Sequence, residues 1–205
     1  MSKLKPYVDF AGIMNMAHRG GAGHGPENTL LAFQQALKEE AHVFELDVHH
    51  TQDGHIVVHH DPDLKRTAGV PLKISKTPLK ILKLWDIAQA FRHSNDTINL
   101  PPLIAQALPQ TITMPTLGEV FDEFPHARIN IDIKPRRGFP IIELIRLIEE
   151  KGMTDRVLVV SQYRKYTRII FGTSLSSAFI TDSKSVSASA TVKSRSSESL
   201  QSSGK

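Results

Sequence analysis

The spacing of apolar residues predicts strands that alternate with helices along most of the chain. Short apolar runs predict strands at residues 13–17, 43–48, 128–134 and 156–161. Apolar residues at helical spacing predict helices within residues 27–40, 79–91, 115–124 and 139–152. Strands and helices that follow one another in this order predict β/α/β units and a parallel sheet.

Local signals predict where two of these elements begin. Asn28 or Thr29 is the predicted N-cap of the first helix, because both side chains accept hydrogen bonds from free helical N–H groups. Asp53 and Gly54 predict a turn that leads into a second extended run within residues 51–61.

Two of the predicted strands carry ionisable side chains on one face. Because side chains alternate along a strand, Glu45 and Asp47 share a face, and so do Asp132 and Lys134. Strands of a parallel sheet covered by helices are normally apolar on both faces. A sheet that borders solvent on one side explains either strand taken alone.

Polar residues at two further strand ends favour a common polar site instead. His18 and Arg19 follow the first strand, and His60 and Asp61 end the run after the turn. In a closed (β/α) barrel, groups at the carboxyl ends of the strands surround the mouth, where such enzymes react. We therefore expect these side chains to converge.

The residue types at this site predict two kinds of ligand. Glu45, Asp47 and Asp132 supply carboxylate oxygens, which suit Mg²⁺ or Ca²⁺. Arg19 and Lys134 supply cationic donors, which suit a phosphate. Four histidines raise the alternative of zinc, although solvent-facing or supporting roles are the simpler interpretation. They are His49, His50, His55 and His59.

Composition and charge narrow the class of protein. The chain has 205 residues, of which 40% are hydrophobic and 22% charged, as in ordinary globular domains. No apolar run is long enough to span a membrane, and the first residues lack the apolar core of a signal peptide, so we expect a cytoplasmic protein. The net charge of +4 is a poor argument for nucleic-acid binding.

The serine-rich residues 173–205 differ in composition from the rest of the chain. A segment with so few large apolar side chains cannot offset the entropy lost on ordering, so we expect a disordered tail. The domain is therefore predicted over residues 8–172.

Six short motifs occur in a characteristic order. They are His18-Arg19, PENT at 26–29, Glu45-x-Asp47, TQDG at 51–54, His60-Asp61 and MPTLGEVF at 114–121. This order resembles the glycerophosphodiester phosphodiesterase family. The resemblance implies a TIM-type (β/α) barrel, which has eight β/α units in roughly 250 residues. Since few strands precede the serine-rich segment, we expect a barrel truncated after about four to five units, with open sheet edges that allow self-association.

The resemblance also implies a reaction. It is the hydrolysis of glycerophosphodiesters or lysophospholipid-like diesters to glycerol phosphate and an alcohol, assisted by one divalent cation. His18 and His60 are the implied general acid and base, since imidazole titrates near neutral pH, and Arg19 is the implied phosphate ligand. The implied metal ligands are Glu45, Asp47 and Asp132. The alternative is a catalytically inactive fragment that binds a divalent ion or an anionic ligand.

One residue departs from the family pattern. The family usually has Glu in a Glu-x-Lys strand motif, whereas this chain has Asp132 two residues before Lys134. Because Asp is one methylene shorter, we expect this ligand to approach the metal differently or through water. Glu27, within PENT, is interpreted as an anchor for the loop or the helix start and not as a ligand.

Overall fold

A five-stranded sheet lies at the centre of the described part of the chain. The computed structural model describes Tyr7 and residues 9–94, 100–108 and 110–171. Its strands are β1 Met16–Ala17, β2 Val43–His50, β3 Ile56–Val58, β4 Arg128–Ile133 and β5 Val157–Val160. Among the described residues, β1, β2, β4 and β5 are parallel neighbours in that order, and β3 pairs antiparallel with β2. Parallel strands in sequential order form the wall of a (β/α) barrel, as predicted.

Helices lie between the parallel strands along the chain, and one more follows β5. They are α1 Leu30–Lys38, α2 Lys65–Ala68, α3 Leu79–Leu82, α4 Gln89–Arg92, α5 Pro102–Ala107, α6 Leu117–Glu123, α7 Ile141–Glu150 and α8 Arg164–Phe171. Thr29, one of the two predicted N-caps, accepts a hydrogen bond from the backbone of Ala32. Thr116 and Glu119 form a reciprocal capping box at the start of α6.

The hydrophobic core lies between the outer face of the sheet and the helices. Phe44 of β2 stacks on Phe33 of α1 with ring centroids 5.3 Å apart, and Phe124 meets the Phe44 ring edge-on at the same distance. Ile131 of β4 and Leu144 of α7 are fully buried in the same cluster. This packing fixes which face of β2 and β4 turns inward, because side chains alternate along each strand.

The inner face of the sheet carries the polar groups. In the parallel register, Glu45 lies opposite Asn130 and Asp47 lies opposite Asp132. On β5, Leu158 lies opposite Asn130 and packs with Tyr7 and other apolar residues. Acidic side chains from two adjacent strands therefore meet on the inner face.

Two secondary-structure predictions need correction. The helix predicted over 79–91 is two short helices, α3 and α4, because the carboxylate of Asp86 accepts hydrogen bonds from the N–H groups of Ala88 and Ile112 and starts a new turn. The strand predicted over 13–17 is paired only at Met16–Ala17. The serine-rich segment 173–205 lies outside the described residues.

Candidate active site

A tight turn at the end of β1 begins the site. Arg19 has φ of 53°, and Gly20 and Gly21 have φ of 77° and 89°. A Cβ on Gly20 would lie 2.9 Å from the Phe33 ring, so glycine is required both for the backbone and for the close approach of α1. The turn directs the backbone N–H of Arg19 to Oε2 of Glu45 at 2.9 Å.

Three carboxylates meet on the inner face. One ligand oxygen from each of Glu45, Asp47 and Asp132 lies within 4.8 Å of the others. Asp132 belongs to this group although its side chain is one methylene shorter than the glutamate of the Glu-x-Lys motif. The structure therefore brings together the three predicted metal ligands in a geometry that one cation can share.

Two cations border the carboxylates. The Lys134 ammonium lies 2.8 Å from Oδ1 of Asp47 and 2.9 Å from Oδ2 of Asp132. The Nε atom of Arg19 lies 3.6 Å from Oδ2 of Asp47. The exposed ring of His18 is at the edge of the group, with Nε2 3.9 Å from Oε2 of Glu45.

Asn28 holds Asp47 in place from the loop before α1. Its side-chain amide donates to Oδ2 of Asp47 at 2.8 Å, and its carbonyl oxygen accepts from the Asp47 backbone at 3.3 Å. Asn28 is buried and has a left-handed backbone, with φ of 56°. Sequence reasoning treated this residue only as a helix cap, although its place in the PENT motif was a signal that it does more.

The pKa values of the neighbouring carboxyls of Glu45 and Asp47 are shifted in opposite directions. Burial, reinforced by the charge of Asp47, raises the pKa of Glu45 to about 7. Burial would also raise the pKa of Asp47, but hydrogen bonds and charge from Lys134, together with the amide of Asn28, lower it overall. The pKa of Lys134 is raised, because its two carboxylate partners outweigh its partial burial.

His60 lies at the end of the run after β3, and its ring is held by Asp61. The Nδ1 atom of His60 is 2.7 Å from Oδ1 of Asp61. The other oxygen of Asp61 accepts a hydrogen bond from Nε of Arg66 at 2.7 Å. Sequence reasoning missed Arg66, because the spacing of α2 gives no sign that it reaches back to this pair.

The other histidines do not join the carboxylates. His49 is buried and bonds the backbone oxygen of His60 at 3.0 Å, and His59 is buried between the Asp61 carbonyl and the Thr67 hydroxyl. Burial lowers the pKa of His49 to about 4. Among the described residues, the candidate metal group consists of carboxylates alone.

The sequence and the fold are similar to those of known proteins. The model of the glycerophosphoryl diester phosphodiesterase family matches residues 18–194. The chain belongs to this family. The match continues past residue 172, where we predicted that the domain ends, so that boundary stays a prediction.

Relatives within the family include enzymes from animals and bacteria. The chain is 36% identical over 137 residues to human lysophospholipase D GDPD1, covering 66% of this chain and 40% of that protein. It is 33% identical over 132 residues to the glycerophosphodiester phosphodiesterase of Bacillus subtilis, covering 64% and 43%. The chain thus spans less than half of the length of these two relatives.

Solved structures in the family have the same fold. A glycerophosphoryl diester phosphodiesterase domain from Mycobacterium tuberculosis is similar with a TM-score of 0.69 at 20% identity, covering 87% of this chain and 62% of that one. A phosphodiesterase from Oleispira antarctica, in complex with the product sn-glycerol-3-phosphate, has a TM-score of 0.64 at 26% identity, covering 78% and 62%. These proteins are TIM barrels, which confirms the predicted fold class. In the described part of the chain, every helix is too short or too polar to cross a bilayer.

Proposed function

We propose that this chain carries the catalytic site of a phosphoric diester hydrolase. Its substrates are glycerophosphodiesters or lysophospholipid-like diesters, and its products are an alcohol and glycerol phosphate, which keeps its acyl chain when the substrate is a lysophospholipid. The observation that carries the proposal is the group of three carboxylates with Lys134 beside two of them, because acids and a cation side by side suit a divalent metal and a phosphate together. Relatives named for both substrate classes support it.

We assign the metal to Glu45, Asp47 and Asp132. Their oxygens are hard ligands, so the ion is Mg²⁺ or Ca²⁺ and not a metal that prefers nitrogen or sulfur. When bound, such an ion supplies positive charge that polarises the phosphoryl oxygens. Arg19 and Lys134 add donors for the same phosphate from either side of Asp47.

His18 and His60 are the proposed general acid and base. One imidazole takes the proton of the attacking hydroxyl as the new P–O bond forms, and the other gives a proton to the oxygen of the leaving alcohol as its P–O bond breaks. Where the attacking group is the neighbouring glycerol hydroxyl, water then opens the cyclic phosphate to glycerol phosphate. His18 is exposed at the edge of the carboxylate group, where a substrate has access to it. His60 is held on one side by Asp61, which leaves its Nε2 atom for the substrate.

Turnover of two substrates tests this proposal. The full chain is assayed with glycerophosphocholine and lysophosphatidylcholine, each with Mg²⁺, Ca²⁺ or EDTA. We expect metal-dependent release of choline or glycerol phosphate that His18→Ala and His60→Ala abolish. His126→Ala is the matched control, because His126 is exposed and lies in the loop before β4, at the opposite end of the strand from Asp132.

The results separate the proposal from its alternative. Turnover that persists in EDTA, or in the His18→Ala variant, contradicts it. An inactive wild-type chain whose melting temperature still rises with Mg²⁺ or Ca²⁺ supports the metal-binding fragment. The cytoplasmic location and the self-association expected from the sequence remain predictions.

A further inference from the structure

A series of charged side chains connects Arg19, beside the carboxylates, with His60. The Arg66 guanidinium forms a two-pronged bond with Glu27, at 2.9 Å from Nη1 to Oε2 and 2.6 Å from Nη2 to Oε1. Its Nε atom donates to Asp61, which holds His60. The same Glu27 carboxylate accepts from Arg19 at 3.2 Å. A continuous path of hydrogen bonds therefore runs from the phosphate-binding arginine to the histidine.

Each member of this path lies on a different segment of the chain. Arg19 is in the turn after β1, Glu27 is in the loop before α1, and Arg66 is in α2, beyond the run that carries His60 and Asp61. The planar fork of arginine fixes the direction of three hydrogen bonds at once, which lysine cannot do. Arg66 thus sets the position of one segment relative to the others.

We propose that Arg66 and Glu27 are positioning residues, which fix the His60 ring through Asp61 and the Arg19 guanidinium directly. The inference rests on the proposed function for its catalytic consequence, but its geometric part does not. Asp61 accepts from Nδ1 of His60, so the neutral ring carries its proton on Nδ1 and its lone pair on Nε2. Arg66 keeps Asp61 turned toward that nitrogen.

The charges along the path support the same orientation. Arg66 and His60 outweigh partial burial and lower the pKa of Asp61 to about 2, so Asp61 is a carboxylate at every working pH. Glu27 likewise has a lowered pKa, because its bonds to Arg66 and the charge of Arg19 outweigh the effect of burial. Both carboxyls therefore stay ionised and act only as hydrogen-bond acceptors.

Nitrogen NMR of labelled histidine tests the geometric part. At about pH 8.5, where an ordinary imidazole is neutral, long-range ¹H–¹⁵N spectra of the full chain distinguish the two tautomers. The His60 signals are assigned by their loss in His60→Gln. We expect wild-type His60 in a single Nδ1–H tautomer, and a mixture in both Arg66→Lys and Glu27→Gln.

Kinetics test the catalytic part. Loss of a residue that supports a catalytic group typically costs about 10-fold to 100-fold in activity. We expect Arg66→Lys to lower kcat by that factor with little change in KM, because it acts on His60. Glu27→Gln lowers kcat and also raises KM, because it frees the phosphate-binding Arg19. Lys151→Ala, which removes the exposed ion pair with Asp122, changes neither.

Different results would contradict the positioning role and the proposed function. A folded Arg66→Lys variant with the wild-type His60 tautomer and the wild-type kcat overturns the inference. An inactive wild-type chain refutes the proposed function, whereas the tautomer measurement still decides the positioning role. Arg66→Lys and Glu27→Gln keep most of the side-chain volume, so the test does not depend on Arg66→Ala, which removes three hydrogen bonds at once.

Discussion

Replacing Glu45 with glutamine should stabilise the metal-free protein above neutral pH. The folded state raises the pKa of this carboxyl from 4.5 to about 7, first through burial and then through the charge of Asp47. Between these values the folded chain keeps a proton that the unfolded chain has lost. The contribution of Glu45 to the free energy of unfolding is therefore fully present below about pH 4.5, falls as the pH rises, and is lost above about pH 7.

The size of this effect follows from the pKa values. At about 1.4 kcal/mol per pKa unit, the change from 4.5 to about 7 amounts to about 3.5 kcal/mol as an upper value. The Glu45 side chain is only 11% exposed, so solvent screening removes little of it. Glutamine stays neutral, and its carbonyl oxygen still accepts the Arg19 N–H bond that Glu45 accepts at 2.9 Å.

Urea unfolding in EDTA at about pH 4 and pH 8.5 measures the difference. We expect Glu45→Gln to match the wild type at the lower pH and to exceed it by about 1–3 kcal/mol at the higher pH. Added Mg²⁺ or Ca²⁺ should raise the melting temperature of the wild type but not of the variant. Glu150→Gln, an exposed helix position, is the control and should show no pH-dependent gain. A Glu45→Gln variant that is less stable than the wild type at pH 8.5 refutes this reasoning.

Three further changes address the surroundings of the carboxylates. Lys134→Met leaves Asp47 and Asp132 without their shared cation and should lower the free energy of unfolding by about 2 kcal/mol, measured with urea in EDTA. Added Mg²⁺ should then raise the melting temperature of this variant more than that of the wild type, and an equal rise contradicts the prediction. Asn28→Ala should lower the free energy of unfolding by about 1 kcal/mol more than Asn28→Gly in the same assay. Both variants lose the bonds to Asp47, but glycine adopts the left-handed backbone without strain. Equal losses would mean that the backbone of Asn28 is unstrained. Thr116→Ala removes a helix cap and should cost about 1 kcal/mol while metal titration is unchanged.

Alternation along the strands was enough to predict which side chains meet. It puts Glu45 and Asp47 on one face of β2, and the parallel register then sets Asp132 beside Asp47. Periodicity also predicted the main helices, because α1 and α7 each bury one apolar stripe. These features depend on local spacing, which a single sequence contains in full.

Features that depend on distant segments were not predictable in this way. The region 79–91 has helical spacing, but Asp86 bonds the backbone of Ile112, far along the chain, and this contact divides the helix. Lys134 was expected to serve a phosphate, and its bonds to both Asp47 and Asp132 follow only from the strand register. The contacts of Arg66 join α2 to two loops, and loop paths have no period.

The ammonium of Lys134 has a consequence for which ions the site accepts. It is tethered to β4 and lies between two carboxylates, so it acts as an internal competitor at a fixed, high effective concentration. A sodium or potassium ion carries the same charge and gains nothing by displacing it, whereas a divalent ion does. The charge of Lys134 therefore selects against monovalent ions, whatever their size.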